Sequence, residues 1–203
     1  MNTIRPALVV TLVLLVLCTA AYPALITGVA ALAFPDAAAG SLVRDAPGRV
    51  RGSELIGQTL ADPSSHPEYV WGRPSGASVD SATGVAYSAG SNYGPLNPAL
   101  HDEVKARVEA LRATGVTGPI PVDLVTKSAS GLDPHPSIAA VRVQVPRIAR
   151  ARGASADAVL ALVAAHTEGS TLGLLGEPRV NVLAVNLALD ARFSSAAGID
   201  GSR

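Results

Sequence analysis

Residues 6–35 read PALVVTLVLLVLCTAAYPALITGVAALAFP, thirty consecutive positions without a charged side chain. The 28 residues Ala7 to Phe34 would make a helix about 42 Å long at ~1.5 Å per residue. A hydrocarbon core of ~30 Å needs only about 20 residues, so this stretch is long enough to span with tilt. Pro23 donates no hydrogen bond and crowds the preceding turn, so a bend or interruption is expected there. A cleaved signal peptide is the rival reading: Arg5 as a short basic head, Ala7 to Leu17 as the apolar region, and Thr19-Ala20-Ala21 as a small-residue site. The run does not stop there. Leu25, Ile26, Val29, Leu32 and Phe34 follow without a polar break, and an uncleaved span is favoured. Lipoprotein processing at Cys18 is disfavoured by the bulky Leu17 before it.

Working outward, the chain of 203 residues carries 16 basic and 16 acidic side chains, and its mean hydropathy is +0.33. Arg5 is the one charged residue among the first 35, which leaves 15 basic side chains beyond them against all 16 acids. The positive mean therefore belongs to the leader, and the remainder is an ordinary, nearly neutral domain. That length suits about one domain. Neutral charge and an aromatic content of 3% give no cationic footprint for nucleic acid. A single Cys excludes an internal disulfide framework and a zinc cluster of several thiolates. The organisation expected is a membrane segment at 1–35 and one domain at 36–203. Short head and long tail favour a cytoplasmic N-terminus and an extracytoplasmic domain, because long domains cross largely regardless of charge.

Within the domain, residues 36–52 read as a Gly/Ala/Arg-rich exit loop and Ser53 to Leu60 as a short helix capped by Ser53. Residues 62–98 are dense in Pro, Gly, Ser and Asn, a loop long enough to be functional or an interaction surface. Asn97 and Pro98 then start a helix, since Asn caps well and Pro suits the first position. Leu100, Val104, Val108 and Leu111 supply its apolar stripe, Glu103 and Arg107 a surface pair, and Gly115 the stop. A second helix is expected from about Ser137 to Arg152, kinked or broken at Pro146, and a third from Ser155 to about Thr167. Residues 178–190 alternate at Leu183, Val185, Leu187 and Leu189 and read as a strand, although Asn181 could cap a helix instead. The fold class is α+β: one N-terminal transmembrane helix followed by a compact mixed helix/strand domain.

Chemistry is sparse. The four histidines (66, 101, 135 and 166) stand singly, with no H-E-x-x-H or C-x-x-C pattern. His101 reads as solvated surface and His166 as a helix-end residue. Ser128, Ser130, Asp133 and His135 invite a hydrolase reading, but the Gly-x-Ser-x-Gly elbow is missing. Ser128 to His135 reads better as a hydrogen-bonded turn built around Gly131. Gly169, Gly173 and Gly176 lack the Lys-Ser/Thr of a phosphate loop. No catalytic residue and no metal ligand is assigned. Tyr69, Trp71, Tyr87 and Tyr93 lie within 25 positions, and with Arg73 they have the composition of a protein-contact patch. The competing reading packs them onto the domain's own helices. Ala20, Ala21, Ala24 and Gly28 could let a neighbouring helix approach the span.

A resemblance joins these pieces. The motifs run in order: Gly52 to Gln58, Trp71-Gly72-Arg73-Pro74-Ser75, Gly90 to Pro98, Pro121 to Thr126 and Ser128 to His135. Gln144-Val145-Pro146-Arg147-Ile148-Ala149, His166-Thr167-Glu168, Gly176 to Leu183 and Asn186 to Asp190 complete the series. Together they resemble the C subunit of the bacterial Kdp-type potassium-transporting ATPase, over nearly the whole chain. Tyr93, where Leu is common, and Lys127, where a small residue is common, are mild departures. The resemblance implies a non-catalytic subunit of a four-protein pump that imports K⁺ at the cost of ATP. Its partners would be the channel-like, P-type ATPase and small membrane subunits and the lipid bilayer. ATP would belong to the ATPase subunit, with no cofactor held firmly here. It further implies a stabiliser and catalytic chaperone that raises ATP affinity. A domain outside the membrane could do so only through coupled conformational states. The alternative from another class is an anchored or secreted binding protein with no pump.

Overall fold

The structure is a computed structural model describing residues 3–58 and 63–193. The chain divides after Ser53 into two compact units.

The first unit opens with helix α1 (Ile4–Val16), a π-helical turn (Leu17–Ala21) and helix α2 (Tyr22–Ala33), which together make one continuous 30-residue apolar helix. The interruption expected at Pro23 takes the form of that π turn. Pro23 lacks an N–H and its ring collides with the carbonyl four residues back, and one wider turn accommodates both faults. Thr19 Oγ1 donates to the Leu15 carbonyl at 2.7 Å, within the same stretch. None of the apolar side chains of α1 or α2 is buried. A one-turn helix α3 (Pro35–Ala38) follows.

Where an exit loop was expected, strands β1 (Leu42–Arg44) and β2 (Val50–Ser53) form an antiparallel hairpin, irregular between Val43 and Arg44. Its turn is tied by Asp45, which accepts from the Arg49 backbone N–H at 2.9 Å and from Arg49 Nε at 3.2 Å. The helix expected from Ser53 to Leu60 is absent over its described part: Ser53 ends β2 and residues 54–58 form a turn. Leu60 lies outside the described residues. Gly57 explains the difference. Its N–H donates to the Leu132 carbonyl at 2.8 Å, and a Cβ there would lie 2.7 Å from the Asp133 carbonyl oxygen. A close backbone approach to a distant turn replaces the local helical bonds.

The second unit is helical with small strand pairs. Strands β3 (Ser78–Val79) and β4 (Ala86–Tyr87) pair antiparallel. Helix α4 (Pro98–Ala113) is capped as anticipated, Asn97 accepting from the Ala99 N–H at 2.9 Å. The helix expected at 137–152 is two pieces, α5 (Ile138–Arg142) and α6 (Val145–Arg152), with Pro146 in the first turn of the second. Gly153, with φ 61°, closes α6 in the left-handed conformation that glycine adopts without penalty. Helix α7 (Ala156–Ala165) begins after its Ser155 cap but ends two residues short of Thr167. Thr167 instead opens strand β5 (Thr167–Glu168), paired antiparallel with β6 (Arg179–Val180).

Residues 182–192 correct the expected strand: they form helix α8 (Val182–Arg192), and Asn181 caps it by accepting from the Ala184 N–H at 3.1 Å. Val182, Leu183, Val185, Asn186 and Leu189 are its buried positions, a helical and not an alternating set. The two-residue spacing of leucine and valine arises because the helix is apolar on more than one side.

The larger core cluster brings together Val70, Val141, Ile148, Val159, Val163, Val182 and Leu189 from α5 to α8 and the loop before Trp71. A smaller cluster gathers Leu111, Leu124, Val125 and Ala140, with Trp71 packed against it. The domain is therefore a mixed helix/strand unit in which helices supply the core and the strands stay short.

Candidate functional site

The central feature of the second unit is the segment His66 to Trp71, which turns at Pro67 and Glu68, with the Tyr69 N–H donating to the His66 carbonyl at 3.4 Å, and belongs to no strand. Glu68, Tyr69 and Val70 are buried. Buried backbone polar groups cost free energy unless they are paired. Here side chains supply the pairing. Asn186 of α8 accepts from the Val70 N–H at 2.8 Å through Oδ1 and donates to the Val70 carbonyl at 3.1 Å through Nδ2. Gln144, just before α6, does the same one residue on: Oε1 accepts from the Trp71 N–H at 2.9 Å and Nε2 donates to the Trp71 carbonyl at 3.0 Å. Each amide mimics the neighbouring strand that is missing.

Two arginines complete the clamp. Arg147 of α6 donates to the Pro67 carbonyl at 2.6 Å and the Tyr69 carbonyl at 3.0 Å, and also to Gln144 Oε1 at 2.6 Å. Its guanidinium lies 3.7 Å from the centre of the Trp71 ring, a stacked cation–π arrangement. Burial lowers the Arg147 pKa to about 10, against the opposing charge of Glu68. It is still a cation at neutral pH. Arg152 donates through Nε to the Glu68 carbonyl at 2.8 Å and through Nη2 to Asp190 at 2.8 Å. The Tyr69 hydroxyl donates to the same carboxylate at 3.0 Å. Burial, then the charge of Asp190 and that hydrogen bond, push the Tyr69 pKa up to about 12.

Tyr69, Trp71 and Arg73, the residues whose composition suggests a contact patch, are thus engaged within the domain. Tyr69 is 3% exposed, Trp71 is half-buried under Arg147, and Arg73 donates to Asp133 at 3.1 Å and to the Lys127 carbonyl at 3.4 Å. The structure brings Tyr69 and Trp71 into one clamp. Tyr87 lies exposed on β4, and the Tyr93 hydroxyl donates to Glu103 at 3.0 Å. Glu103 also pairs with Arg107, as its spacing anticipates, and with Lys127. Burial would raise the Glu103 carboxyl, but hydrogen bonds from Tyr93 and Arg107 and the two nearby cations bring it below the usual carboxylate range. Ala20 and Ala21 sit in the π turn and Ala24 and Gly28 on α2, all exposed, with nothing within 4 Å of a Cβ at Gly28.

The stretch Ser128 to His135 is a turn, as its residue types suggest. The Ser128 hydroxyl accepts from the Gly131 N–H at 2.9 Å, Ser130 from the Leu132 N–H at 3.2 Å, and Asp133 from the His135 N–H at 2.9 Å. Gly131, with φ 71°, brings its backbone against Gly76, where a Cβ would lie 2.8 Å from the Gly76 nitrogen. His135 lies 3.7 Å from Asp133 and 3.8 Å from Glu168. His101 is exposed on α4, and His166 follows α7 with Nδ1 2.9 Å from the Leu162 carbonyl oxygen. Among the described residues no cluster of His, Cys, Asp and Glu has the make-up of a metal site.

Gln144, Arg147, Arg152 and Asn186 are the residues that sequence reasoning on periodicity misses. Their signal is polarity at positions where the helical stripe turns inward.

The sequence comparisons bear on what this architecture serves. A family model described as "K+-transporting ATPase, c chain" matches residues 4–191. The chain belongs to the KdpC family. Curated members align end to end with it. The potassium-transporting ATPase KdpC subunit of Geobacter sulfurreducens is 54% identical over 190 residues, covering 94% of this chain and 98% of that one. The protein of the same name from Sorangium cellulosum is 59% identical over 189 residues, covering 92% and 96%. The match spans both units, so apolar helix and clamped domain together constitute a family member. Its name places the chain in a potassium-transporting ATPase.

Proposed function

We propose that this chain is a non-catalytic subunit of an ATP-driven potassium import complex, anchored by the helix Ile4–Ala33 with its second unit outside the membrane. In this role it stabilises the assembly and raises the ATP affinity of the P-type ATPase subunit. The channel-like, P-type ATPase and small membrane subunits are its partners. The observation carrying the reading is that the domain's buried polar side chains are spent on its own backbone. Gln144, Asn186, Arg147 and Arg152 hold residues 67–71 in place, and Arg147 also covers one face of Trp71. A domain that turns its polar side chains inward onto its own backbone suits a structural subunit.

The same geometry offers a nucleotide little. Phosphates need accessible donors: the Nη atoms of Arg147 and the Nε and Nη atoms of Arg152 are bonded within the domain, Arg147 Nε is buried, and Arg147 already covers one face of Trp71. The effect on ATP is therefore indirect, a coupling free energy passed between conformational states of the assembly.

The test is the apparent KM for ATP of K⁺-stimulated hydrolysis in membranes containing the other subunits, with and without this chain. A KM several-fold lower with the chain supports the chaperone role, and an unchanged KM sinks it. Protease treatment of sealed right-side-out vesicles checks orientation: cleavage within residues 54–203 fits a domain outside, and protection reverses it.

A further inference from the structure

The hairpin β5–β6 ends in a tip whose side chains face solvent. Leu172 and Leu174 are each 87% exposed and Leu175 is 63% exposed. Elsewhere in the second unit Leu96 and Val122 stand singly, and the other exposed apolar groups, Leu55-Ile56 and Val79, Val85 and Tyr87 of the β3–β4 hairpin, hold no run of leucines. Three leucines within four positions are not scattered. Nor is the tip unstructured: the Thr171 N–H donates to the Leu175 carbonyl at 2.8 Å and the Leu175 N–H to the Thr171 carbonyl at 3.0 Å. Gly173 and Leu174 donate back to Ser170 and Thr171 at 3.0 and 3.2 Å. Leu172 holds φ 56°, a left-handed conformation unfavourable for a branched side chain. The backbone bonds thus keep the leucines pointing outward at some cost.

We infer that this leucine-tipped hairpin docks into an apolar, basic-rimmed socket on another chain of the potassium-transporting ATPase assembly. The inference rests on the reading that the chain works within such an assembly. Two features of the tip select this occupant. Its charges are wrong for a bilayer surface: Arg179 is paired with Glu168 at 3.0 Å, and Glu177 is exposed with no basic residue between Glu168 and Arg179. Interfacial segments draw instead on Lys, Arg and Trp. Its area is wrong for a free dimer. Three leucines fall well short of the ~1,000 Å² that a stand-alone interface needs, and two copies meeting tip to tip would oppose their Glu177 carboxylates. A small knob suffices only where other contacts already hold the partner close, so that docking becomes an intramolecular event.

The test uses the full chain in membranes together with the other subunits. Leu174→Cys in a Cys18→Ser background places a single thiol at the tip, to which a benzophenone maleimide is attached. Illumination is expected to join the tip to a polytopic subunit. Adducts on phospholipid or on a second copy of this chain overturn the inference. In parallel, the variant Leu172→Ser/Leu174→Ser/Leu175→Ser, altered only at solvent-facing positions, is expected to lose at least tenfold in co-purified subunits with its melting temperature unchanged. Undiminished co-purification of that variant overturns the docking while leaving the assembly reading intact. Failure of the wild-type chain itself to co-purify sinks both.

Discussion

The helix Ile4–Ala33 and the segment His66–Trp71 solve one problem in opposite ways. Both hold backbone where water is not its partner: the helix once it lies in lipid, and the segment in the core of the domain. The helix pairs its N–H and carbonyl groups internally, so its side chains are free to be uniformly apolar. Locally the segment has the turn bond from the Tyr69 N–H and the Trp71 indole bond, both to the His66 carbonyl. Its other backbone bonds, at Pro67, Glu68, Tyr69, Val70 and Trp71, are made by Asn186, Gln144, Arg147 and Arg152, far away in sequence on or beside α6 and α8. The difference teaches where sequence specificity has to reside. In the helix it is spread thinly over many interchangeable residues, and in the segment it is concentrated in four polar side chains.

The strongest way to break this comparison is Gln144→Ala, which orphans the Trp71 N–H and carbonyl and removes an acceptor from Arg147. Each buried unsatisfied group costs about 1–3 kcal/mol, so a loss of about 3–5 kcal/mol is expected. Thermal unfolding of the detergent-solubilised chain measures it, and a loss below about 1 kcal/mol would show that the amide clamp is dispensable. Asn186→Ala removes the equivalent pair at Val70 and is expected to cost about 2–4 kcal/mol in the same assay. Introducing both changes at once should give less than the sum, because one freed segment cannot be lost twice.

Tyr69→Phe sharpens the comparison at smaller scale. It deletes the hydroxyl bond to Asp190 at about 1 kcal/mol and alters the alkaline limb. Burial, with the Asp190 charge, raises the folded pKa of Tyr69 to about 12, above the ordinary phenol value of ~10. Its stabilising contribution is therefore complete below about pH 10 and is lost as pH rises towards 12. Arg147, with its lowered pKa, acts in the opposite direction in that window, but equally in wild type and variant. The difference between the two stability curves should thus shrink from pH 10 to 12, and a constant difference would contradict the assignment. Smallest of all, Leu12→Ala in the apolar helix should change unfolding of the domain by less than about 0.5 kcal/mol. A large effect there would mean that this helix, too, depends on particular side chains for the fold.

What the sequence revealed follows the same division. The apolar helix was legible because its signal is local and repeated, and α4 because Asn97, Pro98 and the Leu100–Leu111 stripe agree with one another. The break at Pro146 and the turn around Gly131 were legible for similar reasons: proline and glycine act on their own neighbourhood. Helix α8 was misread because leucine and valine at every second position imitate a strand, while the buried Asn186 that marks its inward face looks like a surface residue. The helix expected after Ser53 failed because Gly57 is committed to Leu132, a partner 75 positions on. Tyr69, Trp71 and Arg73 carried the composition of a contact surface because interfaces and polar-sealed cores draw on the same large hydrogen-bonding side chains. Family resemblance was legible throughout, since ordered motifs register even where their structural role does not.

The clamp on residues 67–71 also sets an order of events. Its bonds span 73 positions from Trp71 to Gln144 and 116 from Val70 to Asn186, so nothing local can assemble it. Closing such loops costs chain entropy before any bond repays it. During synthesis the segment leaves the ribosome long before α8 exists, and it waits without these partners until α8 is made. Maturation of this domain is thus gated by α8: a nascent chain stopped short of Asn186 would hold the core-forming segment open to proteases and chaperones.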